Sequence, residues 1–182
     1  MLLIRQGRIQ DKFQLTKMRF DFSMENKVTT PDLYQSFYEE CNLFFEDMFE
    51  SKRWVVWVAE IEGEIVSHVF IEIIDTVPRP GRKKSPFGYV TNVYTVPEYR
   101  SQGIGGKILD EVNNWAKENG LTFLMVWPSE TSVQFYERYG FRSAEEMMEN
   151  HLKHNVVVRK GSFSCQVKPS MNFLVSSLIS RA

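Results

Sequence analysis

The spacing of hydrophobic positions changes several times along the chain, and each change predicts an element. Residues 2–9 are apolar positions broken by Arg5 and Arg8 and read as a first strand, with Asp11 in the place of a helix cap. Residues 12–25 then predict a helix, carrying Phe13, Leu15, Met18 and Phe22 near helical spacing. After a break at 29–32, Leu33, Phe37, Phe44 and Met48 recur at helical intervals up to Ser51. Residues 54–61 and 64–74 are rich in Val, Ile, Phe and Trp and are separated by Glu62-Gly63, which predicts a β-hairpin. Residues 78–86 hold three prolines and four basic residues and form a loop. A strand is expected at 89–96. From Ile104 the apolar positions Ile108, Val112 and Ala116 follow at steps of four, giving a helix with one buried stripe that ends at Asn119-Gly120. The short apolar run 121–127 suits a buried strand stopped by Pro128 and residues 130–139 a short helix closed by Gly140, while the pattern weakens from Phe141 on, with a last strand expected somewhere between 142 and 153.

Composition narrows the class. The 182 residues are 43% hydrophobic and 25% charged, with 22 Lys+Arg against 23 Asp+Glu, which suits one globular domain and gives no field for nucleic acid. Cys41 and Cys165 match no metal or disulfide spacing, so free thiols in a reducing cytoplasm are expected and no metal is called for. No apolar run approaches the ~20 residues of a membrane span, and residues 1–10 do not resemble a signal peptide. Residues 154–182 contain Arg159, Lys160, Lys168 and Arg181, no acid and no clear period, and form a tail without a functional account.

The densest chemical signal is Arg100-Ser101-Gln102-Gly103-Ile104-Gly105-Gly106 between the strand that ends before Pro97 and the helix that follows. Glycines there allow positive φ and close approach of a ligand to the backbone, so that N–H groups at the helix N-terminus converge on an anion. A dinucleotide motif would need Gly, and a Walker A loop Ser or Thr, where Ile108 stands, so neither fits.

Arg100-x-x-Gly103-x-Gly105, taken with Phe135-Tyr136-Glu137-Arg138-Tyr139-Gly140-Phe141, resembles the two signature segments of the GNAT N-acetyltransferase superfamily. The resemblance covers residues 2–153 and implies an α/β fold: a mixed, mostly antiparallel sheet of six or seven strands with helices on both faces. It further implies acetyl-CoA as cosubstrate and direct acetyl transfer to an amine of a small molecule or peptide, with a homodimer among the oligomeric states left open. A CoA-binding module without catalysis is the alternative.

By the same resemblance, the backbone of Val93, Tyr94 and Thr95 would pair with pantetheine. The N–H groups around Arg100, Ser101, Gln102, Gly103, Ile104, Gly105 and Gly106 would hold the pyrophosphate, and Tyr136 would be the general acid. Ser129 stands where the family often has Asn. The strands at 89–96 and 121–127 lack the acid often found there, so the base is unassigned; His68 and Glu72, on one face of the third strand, are the weak candidates. Asp32, Glu39, Glu40, Glu46, Asp47 and Glu50, with no Lys or Arg between them, suggest a cationic acceptor or merely a solvated helix face.

Overall fold

A computed structural model describes residues 1–25, 27, 30–81, 85–144, 148 and 150. The strands are β1 (Leu2–Gln6), β2 (Trp54–Ile61), β3 (Glu64–Ile74), β4 (Phe87–Thr95) and β5 (Leu124–Val126). The helices are α1 (Lys12–Met24), α2 (Pro31–Glu50), α3 (Ile104–Glu118) and α4 (Val133–Arg138), with 3₁₀ turns at Ile9–Asp11, Pro97–Tyr99 and Glu130–Ser132. The sheet runs in the order β1-β2-β3-β4-β5, antiparallel as far as β4, with β5 parallel to β4 across the α3 crossover. The hairpin at Glu62-Gly63 forms as expected, both residues at positive φ (53° and 86°), which matches the strand twist.

Alternation along the strands divides the core between two faces. Val56, Val58, Phe70 and Tyr94 meet Leu15 and Met18 of α1 and Phe45 and Met48 of α2. Ala59, Val69, Ile71 and Val90 meet Ile108, Leu109 and Val112 of α3 on the other face. Helices therefore cover both faces.

Several expectations need correction. The sheet has five strands among the described residues, not six or seven. Residues 141–144 form no strand, and the rest of the expected last strand, like the tail and Cys165, lies outside the described residues apart from Met148 and Asn150. β1 stops at Gln6 because Asp11 draws the chain into a turn: its carboxylate accepts from the Arg8 N–H (2.7 Å) and from Arg5 (2.7 and 2.9 Å). Asp11 thus makes no side-chain cap bond to α1. Burial alone would raise its pKa, but Arg5 and the Arg8 N–H outweigh that and hold it below the usual range. Phe13, Phe22 and Phe44 are 53%, 38% and 49% exposed, and Phe20, Cys41 and Phe45 take the core positions instead. β5 has three residues rather than seven and is only half-buried, because Thr122 is bound to the Pro86 carbonyl before the ladder begins and the two strands part after Val90–Val126.

Within β4 the register with β3 slips: His68 faces Tyr94, Phe70 faces Thr91, and Asn92 and Val93 together stand opposite Val69. Asn92 takes φ 46°, a left-handed value that Asn tolerates better than most residues. Its carbonyl accepts from His68 Nδ1 at 2.8 Å, and its side-chain Oδ1 accepts from Arg19 Nη1 at 3.3 Å. Because a carbonyl only accepts, His68 carries its proton on Nδ1; among the described residues the buried Nε2 has no partner. Full burial, with the cation of Arg19 adding to it, pushes the His68 pKa down to about 3.

A histidine held neutral in the folded state and free to protonate near 6.5 in the unfolded chain leaves stability intact above pH 6.5 and drains it as pH falls toward 3. The drain should approach ~1.4 kcal/mol per pH unit. Urea unfolding between pH 7 and about 4.5 is expected to show a shallower loss for His68→Asn and His68→Phe than for the wild type. Parallel slopes would mean that the imidazole is not the titrating group.

Candidate active site

Beyond Val90 and Val126 the parallel pair β4–β5 separates, since β4 runs on to Thr95 while Pro128, without an N–H, turns the other chain away. The gap is part of a cleft of about 1330 Å³ whose walls include Thr91 to Thr95, Trp127, Ser129 and Tyr136. Tyr89 and Trp127 pack edge to face, 5.0 Å between centroids, where the strands part.

At the far end of β4 the chain makes a 3₁₀ turn at Pro97–Tyr99, then two left-handed steps, Ser101 (φ 60°) and Gly103 (φ 75°), and enters α3. The first helical N–H groups, Ile104, Gly105 and Gly106, have no acceptor a turn earlier and point out of the helix start toward the cleft they line. Lys107 N makes the first return bond, to Gly103 O at 3.1 Å. The Tyr139 hydroxyl sits where a side chain at 106 would begin, so glycine there lets α4's trailing end close over the turn. Arg100 ties the turn down: its Nε donates to Thr95 O (2.9 Å), its Nη2 pairs with Glu25 (2.7 Å), and its guanidinium lies 5.5 Å from the Tyr94 ring.

Tyr136 closes the opposite side. It is 7% exposed, wedged edge to face between Phe135 and Phe141. Among the described residues its hydroxyl makes no hydrogen bond, and the residue lines the cleft. Burial pushes its pKa up to about 12.

The family model for the acetyltransferase (GNAT) domain matches residues 52–143, which span β2 to the end of α4. The chain belongs to the GNAT acetyltransferase family. Among curated relatives of this GNAT chain, the glucosamine 6-phosphate N-acetyltransferase of Trypanosoma brucei brucei is 30% identical over 86 residues, 47% of this chain and 56% of that protein. The chain thus spans little more than half of that relative's length. Among solved structures, a predicted acetyltransferase with acetyl-CoA from Clostridium acetobutylicum is 26% identical, with TM-score 0.68 over 83% of this chain and 96% of that one. Glucosamine-6-phosphate N-acetyltransferase from Arabidopsis thaliana shares the fold at TM-score 0.63 and 21% identity, over 84% and 99% of the two chains.

Of the residues singled out in this GNAT sequence, Val93, Tyr94, Thr95, Arg100, Ser101, Gly103, Ile104, Gly105, Gly106, Ser129 and Tyr136 all line the one cleft. Gln102 does not; its amide turns back to Glu98 O at 2.9 Å. Neither His68 nor Glu72 lines the cleft. His68 instead holds the bulge. Of the six α2 acids only Glu40 reaches the lining, while Glu46 is paired with Lys12. Sequence reasoning missed Arg19, Phe22 and Glu25 of α1 and its end, and Tyr89, Trp127 and Tyr139 around the gap. The last three could have been found from their places beside the parting strands and in the second motif; the α1 residues carry no local signal. Among the described residues no cluster of His, Cys, Asp or Glu could hold a metal, and no helix is long and apolar enough to cross a membrane.

The turn's backbone can be tested without a ligand. A Cβ at Gly103 meets open space, so Gly103→Ala should cost only the left-handed strain, about 1–2 kcal/mol, whereas Gly105→Ala, in ordinary helical conformation, should cost almost nothing. Chemical denaturation of both variants distinguishes them; equal stability would contradict the φ assigned to Gly103.

Proposed function

We propose that the protein is an acetyl-CoA-dependent N-acetyltransferase in which an amine of a small molecule or peptide attacks the thioester directly, in a ternary complex. The observation that carries this is the continuity of the cleft, which runs from the exposed N–H groups of the glycine turn, along the unpaired edge of β4, to the hydroxyl of Tyr136. An extended pantetheine arm fits as a missing strand between β4 and β5. We assign it chiefly to Val93, which has no one-to-one partner on β3, since the Thr95 carbonyl is already taken by Arg100. The pyrophosphate is assigned to the N–H groups of Ile104, Gly105 and Gly106 and to the helix dipole behind them.

In the reaction the amine nitrogen bonds to the thioester carbon and the carbonyl electrons move to oxygen. The oxygen's electron pair then re-forms the carbonyl as the C–S bond breaks, the departing sulfur takes a strong hydrogen bond or a proton from Tyr136, and the nitrogen loses its extra proton to solvent water in the cleft. A free thiol has pKa about 8.5, so a tyrosine near 12 does not readily surrender its proton to an isolated thiolate. Tyr136 therefore rests protonated and donates a hydrogen bond to sulfur as charge builds on it, with any transfer of its proton confined to the moment of C–S cleavage.

Three measurements on the 182-residue chain test the proposal. CoA should raise the melting temperature, and Gly103→Val should weaken CoA binding by about tenfold or more through loss of backbone approach. Acetyl-CoA consumption should appear in a panel of polyamines, aminoglycosides, amino acids and peptide N-termini. Tight CoA binding with no consumption across the panel would leave a binding module. Tyr136→Phe should lower kcat by roughly 10² to 10⁴ with CoA affinity unchanged, and the wild-type kcat should show no alkaline fall from this tyrosine up to pH about 10. Near wild-type kcat in Tyr136→Phe, with chemistry rate-limiting, would reduce the residue to packing.

A further inference from the structure

The charges around the cleft do not balance at its α1 end. Arg100 is answered by Glu25, at 2.7 Å, and Arg138 is exposed. Arg19, half-buried in the lining, makes no ion pair with any carboxylate among the described residues. Its guanidinium has one long hydrogen bond, Nη1 to Asn92 Oδ1 at 3.3 Å, and lies 5.6 Å from the Phe22 ring. The other titratable groups near it are neutral: His68 is held unprotonated by burial, and burial pushes the Cys41 thiol up. Glu40, the remaining carboxylate of the lining, is exposed.

A guanidinium has five N–H donors in a planar fork suited to two oxygens. Taken partly out of water among aromatic rings, it costs free energy unless an anion meets it. The position says which molecule brings that anion. Asn92 is the bulge residue next to Val93, inside β4, whereas the glycine turn assigned to pyrophosphate lies beyond the end of that strand. The cation therefore faces the acceptor's part of the cleft.

Resting on the acetyl-transfer reading of this cleft, we propose that the acceptor is an amine carrying its own carboxylate or phosphate, and that Arg19 binds that anionic group. A purely cationic acceptor is disfavoured by the same guanidinium.

Isothermal titration of the 182-residue chain saturated with CoA tests this without turnover. The probes are two product pairs: N-acetylphenylalanine against its amide, and N-acetylglucosamine 6-phosphate against N-acetylglucosamine. At least one anionic member should bind more tightly than its neutral partner by roughly 10- to 100-fold, the value of a charge-assisted hydrogen bond pair. The pair that responds tells carboxylate from phosphate. Arg19→Gln should abolish the difference and Arg19→Lys should recover part of it, with melting temperature and CoA affinity measured alongside to show that the variants fold. Equal binding within both pairs, no binding of either anionic probe, or a preference that survives Arg19→Gln overturns the proposal. Acetyl-CoA consumption with the parent amines separates the two readings. Arg19-dependent binding without turnover of any amine sinks the transferase and keeps the anion site; turnover indifferent to the acceptor's anion does the reverse.

Discussion

Everything in the cleft depends on a hydrogen bond that a strand should not need. The Asn92 carbonyl is claimed by a buried imidazole, and that bond fixes a slip in the β3–β4 register. A β4 in regular register would turn every side chain beyond the slip to the other face. Instead Tyr94 stays with the α1–α2 core while Val90 remains on the α3 side, and the residues between them are presented to the gap. The neutral state of His68 is thus an architectural requirement, and an Nε2 with no partner among the described residues is the cost of keeping the ring there.

The second constraint is that two walls built from distant parts of the chain must stand at a fixed separation. One is β4 with the turn into α3; the other is the end of α1 with α2. Ser67 anchors the first from below, its hydroxyl donating to Tyr94 O (2.9 Å) and lying 2.7 Å from Thr95 Oγ1. Arg5 anchors the second, joining Glu60 of β2 to Asp11 at the foot of α1. The Arg5 cluster is largely shielded from water, its three side chains 19%, 10% and 23% exposed, so it holds geometry better than isolated surface pairs do.

Local signals in the sequence were legible, and long-range ones were not. The Glu62-Gly63 hairpin, the four-residue stripe of α3, the glycine turn and the helix bearing Tyr136 each depend on neighbours in sequence, and each forms. The bulge was invisible because Asn92 is an ordinary residue in an apolar strand; its left-handed φ follows from His68, on another strand. Helices α1 and α2 carry aromatics on more than one face, so Phe13, Phe22 and Phe44 satisfied the helical period while facing outward. β5 was overread because an apolar run does not say where its partner departs. The charge of Arg19 had no meaning until its surroundings were known: among 22 basic residues, only a three-dimensional inventory shows which lack an answering acid.

The Arg100–Glu25 pair is the stitch between the walls, running from the glycine turn to the residue that ends α1, and both side chains are partly open to water, at 44% and 33%. Ion pairs of that exposure are weakened by dissolved salt, with a screening length of about 8 Å at physiological ionic strength. Salt thus loosens this tie between the glycine turn and the end of α1, so that how firmly the two walls are joined depends on the ionic medium as well as on packing.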